Sequence, residues 1–160
     1  MALRKIRTLG DPVLGKVAKP VTEINEKIKE LAYDMLDTMY TANGVGLAAP
    51  QIGVLKRIAV IDVSPEGNRP IVLINPEIIE SSGSQTGDEG CLSVPGKAGT
   101  VTRPNEVTVR AYNLKNQEII VKGTELLARA LCHELDHLDG VVYVEKVEGK
   151  LHDVAVDEEE

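Results

Sequence analysis

The sequence predicts an α+β fold, in which mixed or antiparallel β-sheets pack around a central helix and a second helix lies near the N-terminus. Two segments place apolar residues at helical spacing, and several strand patterns lie between them. Strands and helices do not alternate along the chain, which argues against a βαβ arrangement. The 160 residues are 42% hydrophobic and 27% charged, enough for one core. We expect a single domain over residues 1–150 and a short acidic C-terminal tail over residues 151–160.

The first helix is predicted to follow an irregular N-terminal segment, which Asp11-Pro12 and Lys19-Pro20 interrupt. Thr22 or Asn25 can cap this helix, and Asn43-Gly44 ends it. Its apolar side chains recur three and four residues apart. They are Ile28, Leu31, Ala32, Met35, Leu36, Met39 and Tyr40.

Strand patterns occupy the middle of the chain. Residues 57–63 are apolar and β-branched, and residues 71–74 and 77–80 read as one further strand interrupted at Asn75-Pro76. Residues 106–112 alternate in polarity and pair with residues 118–122 as a hairpin.

The second amphipathic helix is predicted to begin near Gly123-Thr124 and to end at Gly140. We expect a last short strand over residues 141–144. The apolar positions of the helix are Leu126, Leu127, Ala130, Leu131, Leu135 and Leu138.

Composition excludes several classes of function. The net charge is −7 and the chain has no Phe or Trp, which argues against direct nucleic-acid binding. No apolar run approaches the roughly 18 residues that would cross a bilayer, and the N-terminus lacks the apolar stretch of a signal peptide. Cys91 and Cys132 are expected to be reduced, as in a cytoplasmic protein.

The strongest chemical signal is His133-Glu134-Leu135-Asp136-His137 within the second helix. Histidines four residues apart lie on one helix face, so both imidazoles can bind one ion. Glu134 is one step round the helix, where its carboxylate can reach a water at the metal without being a ligand. Two surface histidines on a solvated helix are the plain alternative, but leucines surround the motif.

A catalytic ion needs a third protein ligand. Cys91 is the upstream candidate, and Glu145 or Glu148 could complete a site downstream. His152 lies beside the acidic tail and is expected to be solvated, whereas Cys132 is expected to be a small buried residue. Two histidines and a cysteine would suit Zn²⁺ or Fe²⁺ equally.

Residues 44–53 form a glycine-containing segment with two interpretations. Its opening satisfies the loose dinucleotide pattern G-x-G-x-x-A, but it follows a helix rather than a strand. It can be a turn, or a backbone strip that another chain approaches closely, with the Gln51 amide near the metal.

Three motifs follow one another along the chain: Gly44-Val45-Gly46-Leu47-Ala48-Ala49-Pro50-Gln51, Glu89-Gly90-Cys91-Leu92-Ser93 and His133-Glu134-Leu135-Asp136-His137. In order and in spacing they resemble the three motifs of peptide deformylase. The similarity covers about residues 3 to 148. It implies a catalytic domain that hydrolyses the N-formyl group of the initiator methionine of new polypeptides and releases formate.

The resemblance also implies roles for single residues. Cys91, His133 and His137 match the ligands of one divalent metal, with Fe²⁺ favoured and Zn²⁺, Ni²⁺ or Co²⁺ as substitutes. Glu134 matches the acid/base. The Gln51 side chain and the Leu92 backbone N–H match the donors to the oxyanion.

The same resemblance places the substrate. Gly46, Glu89 and Gly90 match the edges that hold its backbone. We expect the glycines at positions 44, 46 and 90 to help build a tight wall against acyl groups larger than formyl. Val45, Leu126 and Ala130 are candidates for the methionine pocket, and Arg129 occupies a further position on the second helix that helps to line it. Glu89 and Arg103 match an ion pair that fixes the cysteine loop.

The implied partners are N-formyl-methionyl nascent polypeptides, in the cytoplasm of a bacterial type of cell, with transient ribosome proximity and no membrane. Some relatives extend into a basic C-terminal helix, whereas the residues after Glu148 include the acidic run Asp157-Glu158-Glu159-Glu160, so we do not expect docking on the ribosome by such a helix. The competing hypotheses are a zinc endopeptidase of the HExxH type, a structural metal site with four protein ligands, and a catalytically silent relative.

Overall fold

The computed structural model describes residues 2–154. In that range the chain forms two α-helices, eight β-strands and three short 3-10 turns. The helices are α1 (Glu26–Thr41) and α2 (Leu126–Leu138). The strands are β1 (Gly46–Ala48), β2 (Ile58–Ile61), β3 (Ile71–Ser82), β4 (Gln85–Cys91), β5 (Val94–Arg103), β6 (Glu106–Tyr112), β7 (Glu118–Thr124) and β8 (Glu148–Asp153).

Within residues 2–154 the strands form two antiparallel sheets. The larger sheet has the order β1-β2-β3-β6-β7, and the smaller has the order β4-β5-β8. Strand β1 therefore lies at one edge of the larger sheet, and β4 lies at one edge of the smaller. Both edges face the same cleft, as described below. This arrangement confirms the predicted α+β fold.

The larger sheet is buried on both faces near its β1 edge. Ile58 and Val60 of β2 pack with α1, whereas Ile61 on the opposite face packs with α2. This explains why β2 is apolar throughout, since a strand covered on both faces has no solvent side. Each fully buried Leu or Ile contributes about 1.5–3 kcal/mol.

Helix α2 is central. It contacts β1, β2, β6 and β7 of the larger sheet and β5 of the smaller one. Its buried positions almost encircle it, because both sheets cover it. A third apolar cluster, which includes Leu14, Val101 and Tyr143, packs under the smaller sheet.

Several predicted elements agree with the structure, and others differ from it. Asn25 caps α1, since its side chain accepts a hydrogen bond from the backbone N–H of Ile28. The predicted interruption at Asn75-Pro76 is a bulge inside a continuous β3, with Asn75 at φ 53°.

The expected strand over residues 141–144 is wrong. Residues Tyr143–Lys146 form a 3-10 turn, and the last strand, β8, begins at Glu148. The strand therefore includes the first residues that were assigned to the acidic tail, whereas residues 155–160 lie outside the described range. Among the described residues, neither helix has the length and apolar character that a membrane crossing requires.

Candidate metal centre and cleft

Helix α2 presents His133 and His137 on one face, one turn apart. Both side chains are buried, and their ring centroids lie 4.9 Å from each other. Cys91 comes from the smaller sheet. It ends β4 and pairs with Val94 across a two-residue turn, Leu92-Ser93, which holds the thiol toward the helix.

The three residues form one compact donor set. One ligand atom from each of Cys91, His133 and His137 lies within 4.8 Å of the others. The Cys91 Sγ and the His137 Nε2 are 3.2 Å apart. Within residues 2–154 this group has no fourth member. It therefore offers one sulfur and two nitrogens, the donor types that Fe²⁺ and Zn²⁺ accept.

Glu89 sets the orientation of the first histidine. The His133 Nδ1 lies 2.6 Å from the Glu89 Oε2. Burial alone would raise the pKa of Glu89, but hydrogen bonds from His133 and Arg103 lower it to about 2. The ionised carboxylate accepts a hydrogen bond from the His133 Nδ1–H and leaves Nε2 free for a metal.

The charged groups around the two histidines favour the binding of a cation. Burial and the neighbouring His133 lower the pKa of His137 to about 3, which keeps this imidazole in its neutral, metal-binding form. Burial alone would also lower the pKa of His133. The nearby Glu134 carboxylate and the hydrogen bonds with Cys91 and Glu89 instead raise it well above its usual value. A bound metal ion would benefit from the same negative charges.

Glu134 lies beside the donor set. It is buried, and burial raises the pKa of its carboxyl to about 7. Its Oε1 has no hydrogen-bond partner within residues 2–154. Its Oε2 lies against Gly46, where an added Cβ would be only 2.4 Å away. The glycine of β1 therefore makes room for this carboxylate.

Gln51 is fixed on the other side of the cysteine. Its Oε1 accepts a hydrogen bond from the backbone N–H of Ala48, at 2.9 Å. Its Nε2 donates to the Ser93 hydroxyl at 3.0 Å and lies 3.5 Å from the Cys91 Sγ. The amide group is thus held with its donor side toward the sulfur.

A cleft of about 500 Å³ opens beside this group. The β1 and β4 edges line opposite sides of it. The predicted substrate residues that line it are Gly44, Val45, Gly46, Glu89, Gly90, Leu126 and Ala130. Val45 and Leu126 are about half exposed at the cleft.

Other candidate ligands lie outside the group. The Glu145 carboxylate accepts a hydrogen bond from the Val142 N–H, and that of Glu148 accepts one from the Thr102 hydroxyl. His152 is on β8, half exposed and 3.3 Å from Asp88. Cys132 packs in the apolar cluster between α2 and the larger sheet.

Three contacts at the site are not predicted from the sequence, although the resemblance places Arg129 at the methionine pocket. Ser93 holds the Gln51 amide, and Tyr143 packs against the His133 ring with a centroid separation of 5.9 Å. Arg129 reaches the Glu89 carboxylate, at 2.8 Å. Ser93 is inside the cysteine motif and Arg129 is one turn before His133, so both had a positional signal. Tyr143 had none.

An HExxH helix whose histidines meet a cysteine from a separate sheet, with a buried carboxylate alongside, places the protein among metal-dependent hydrolases. Comparison with known proteins narrows this class. The model of the polypeptide deformylase family matches residues 3–152. The chain belongs to the peptide deformylase family.

Individual relatives agree over nearly the whole chain. The peptide deformylase of Agathobacter rectalis is 68% identical over 158 residues, 99% of this chain and 98% of that protein. The peptide deformylase of Lachnoclostridium phytofermentans is 64% identical, over 100% of this chain and 99% of that protein. A crystal structure of a peptide deformylase from Legionella pneumophila superposes with a TM-score of 0.89 at 48% identity, covering 92% of this chain and 87% of that one.

Proposed function

We propose that this protein removes the N-formyl group from the initiator methionine of newly made polypeptides and releases formate. The observation that supports this proposal is the grouping of Cys91, His133 and His137 beside the buried Glu134, at a cleft between two sheet edges. The zinc endopeptidase alternative required Glu145 or Glu148 as third ligand, and both carboxylates have other partners.

Cys91, His133 and His137 would hold one divalent metal, for which we propose Fe²⁺. When bound, such an ion lowers the pKa of a bound water toward neutrality and polarises the formyl carbonyl. Metal analysis of protein purified without oxygen tests the identity of the ion. Iron at one equivalent per chain supports the proposal, and zinc alone would contradict it.

Glu134 is the proposed acid/base. An acid/base works best when its pKa lies near the working pH, and burial places that of Glu134 at about 7. The carboxylate would take a proton from the attacking water and deliver it to the leaving amine. The close contact with Gly46 keeps the Glu134 carboxylate beside β1, where the substrate backbone would lie.

Gln51 and Leu92 are the proposed donors to the oxyanion. The Gln51 amide is already held near the Cys91 sulfur by Ala48 and Ser93, so it needs no rearrangement to act. Leu92 follows the cysteine in the turn, where its backbone N–H can face the same point. Preorganised donors of this kind each contribute about 10²–10³ in rate.

The substrate would add as a strand between the β1 and β4 edges. Both are end strands of their sheets, so their outer backbone groups can pair with a peptide. Gly44, Gly46 and Gly90 would let the backbone on both sides of the cleft approach the formyl group closely, so that larger acyl groups would clash. Val45, Leu126 and Ala130 would contact the methionine side chain, and Arg103 would hold Glu89 in place through two hydrogen bonds.

We further propose that the protein acts in the cytoplasm, in transient proximity to ribosomes, because its substrate is a chain that has just begun. The net charge of −7 argues against direct binding to nucleic-acid phosphates.

A paired assay tests the function. Formyl-Met-Ala and unformylated Met-Ala peptides are offered to the metal-loaded protein, and formate and peptide cleavage are both measured. Formate released from the first peptide alone, with the Met-Ala bond intact in both, is the expected result. Cleavage of internal peptide bonds without formate would favour the endopeptidase.

A further inference from the structure

Arg129 is a buried cation on α2, one turn before His133. Its exposed fraction is 7%, although it lines the cleft. A buried guanidinium is costly unless its hydrogen bonds are satisfied. Its Nη1 donates to the Glu89 Oε1 at 2.8 Å, and its Nη2 donates to the Val101 carbonyl at 3.1 Å. One side chain thus joins the helix to both β4 and β5.

The Glu89 carboxylate is shared among three partners. Its Oε1 accepts from Arg129 Nη1 and from Arg103 Nε, the latter at 3.1 Å. Its Oε2 accepts from Arg103 Nη2 at 2.6 Å and lies 2.6 Å from His133 Nδ1. Each oxygen therefore has two partners. Without Arg129, Oε1 would keep one partner, and the carboxylate would be restrained by Arg103 and His133 alone.

Gly87 has no side chain that would block the Arg129 guanidinium from reaching Glu89 and Val101. It pairs in register with Val101, the residue whose carbonyl Arg129 reaches. A Cβ added at Gly87 would lie 3.7 Å from the Arg129 Nη2. Alanine would therefore fit there, whereas the branched side chain of valine would crowd the guanidinium.

We propose that Arg129 is a positioning residue for the metal centre: it fixes the Glu89 carboxylate, which in turn orients the His133 ring toward the ion. This inference rests on the proposed metal site of Cys91, His133 and His137. Arg129 donates its hydrogen bonds to Glu89 and Val101 and to none of the three proposed metal ligands, so its effect on the site passes through Glu89.

Two substitutions test the role. Arg129→Met keeps the length of the side chain but donates to neither acceptor. Arg129→Lys keeps the charge, but one ammonium cannot serve Glu89 and Val101 in the geometry of the guanidinium. We expect the metal to transfer to a chelator about 10-fold faster from Arg129→Met, the lower end of the usual effect of such supporting residues. Arg129→Lys should lie between this variant and the wild type.

Arg110→Met is the matched control. Arg110 forms an exposed ion pair with Glu77 on the larger sheet, away from the cleft. The same chemical change there should leave the rate of metal transfer unchanged. Circular dichroism and thermal unfolding establish that each variant is folded.

Gly87→Val gives an independent test, because it displaces the guanidinium without removing it. Gly87→Val should speed metal transfer when it is introduced into the wild type. It should have little further effect in Arg129→Met, because both changes break the same contact between residue 129 and Glu89. If Arg129→Met does not fold, Arg129→Lys and Gly87→Val decide the question.

The outcomes separate the two proposals. Unchanged metal transfer in folded Arg129→Met, with only a lower melting temperature, would overturn the positioning role and leave the metal site intact. Normal metal content in Cys91→Ala would instead refute the metal site itself.

Discussion

The Glu134 carboxylate combines burial, an unpartnered oxygen and a close fit against Gly46. Glu134→Gln keeps this shape but cannot accept and return a proton. We expect the variant to bind a full equivalent of metal and to lose about 10²–10⁴ in kcat. Metal analysis and formate release on the same preparation check both halves of the prediction. A loaded variant within a few-fold of wild-type turnover would exclude Glu134 as acid/base.

Gln51 is held by both ends of its amide, so replacing it removes a preorganised donor. Gln51→Leu should lower kcat about 10²–10³-fold with little change in KM, since the lost hydrogen bond forms in the transition state. Steady-state kinetics with formyl-Met-Ala measure kcat and KM separately. A raised KM at unchanged kcat would mean that Gln51 binds the ground state instead.

Ser93→Ala is the matched control for that variant. It removes the hydroxyl that accepts from the Gln51 Nε2 but leaves the amide itself in place. Its effect on kcat should therefore be smaller than that of Gln51→Leu.

The candidate metal centre was predictable at the scale of single residues because its donors have distinctive chemistry and spacing. His133 and His137 are four residues apart, and the cysteine motif resembles that of a known family. The residues that hold the Glu89 carboxylate were harder to predict from the sequence. The Arg129 contact depends on how α2 packs against β4 and β5, and nothing in the spacing of Arg129 and Glu89, forty residues apart, indicates it.

At the scale of elements, the cap of α1 separates two candidates that the sequence left open. The Asn25 side chain accepts from the Ile28 N–H at 3.1 Å. Asn25→Ala should lower the free energy of unfolding by about 1 kcal/mol. Thr22→Ala is the matched control and should change it little. Urea unfolding of both variants provides the measurement, and equal losses would contradict the assignment of the cap.

The loop after β2 depends on Asp62, which is 4% exposed. Burial alone would raise the pKa of Asp62, but hydrogen bonds from Ser64 and Tyr40 and from backbone N–H groups lower it to about 2. The pKa is therefore lower in the folded than in the unfolded state. The stability that Asp62 contributes should be present above pH 4 and lost as the pH falls toward 2.

Asp62→Asn isolates this contribution. The variant should be less stable than the wild type at pH 7, and the difference should shrink between pH 4 and pH 2. Urea midpoints across this range measure it. A difference that stays constant with pH would show that the charge of Asp62 is not involved.

Helices and hairpins with strong local patterns were predictable as elements, whereas β4, β5 and β8 were not. The α1 and α2 predictions rest on apolar periodicity, and the β6–β7 hairpin rests on alternation around a turn. Strands β4 and β5 contain Gly87, Gly90, Gly96 and Gly99, which weaken any strand pattern. Every residue of β8 is exposed, so its place depends on pairing with β5 rather than on an apolar face.

At the scale of the whole molecule, the proposed metal ligands come from separate layers. Cys91 belongs to the smaller sheet, whereas both histidines belong to α2, which packs on the larger sheet. A bound ion would therefore join the two sheets through the helix. Ligands that bind the folded state alone stabilise it, by about 2.7 kcal/mol when their concentration is 100 times Kd.

Metal removal should therefore weaken the whole fold and not the site alone. We expect the melting temperature of stripped protein to rise by about 5–10 °C on adding the metal at 100 times Kd. Cys91→Ala should lose most of this rise because the smaller sheet is then no longer tied to α2. Glu134→Gln, whose ligands are intact, should keep it. An equal rise in Cys91→Ala would show that the ion stabilises the protein from some other position.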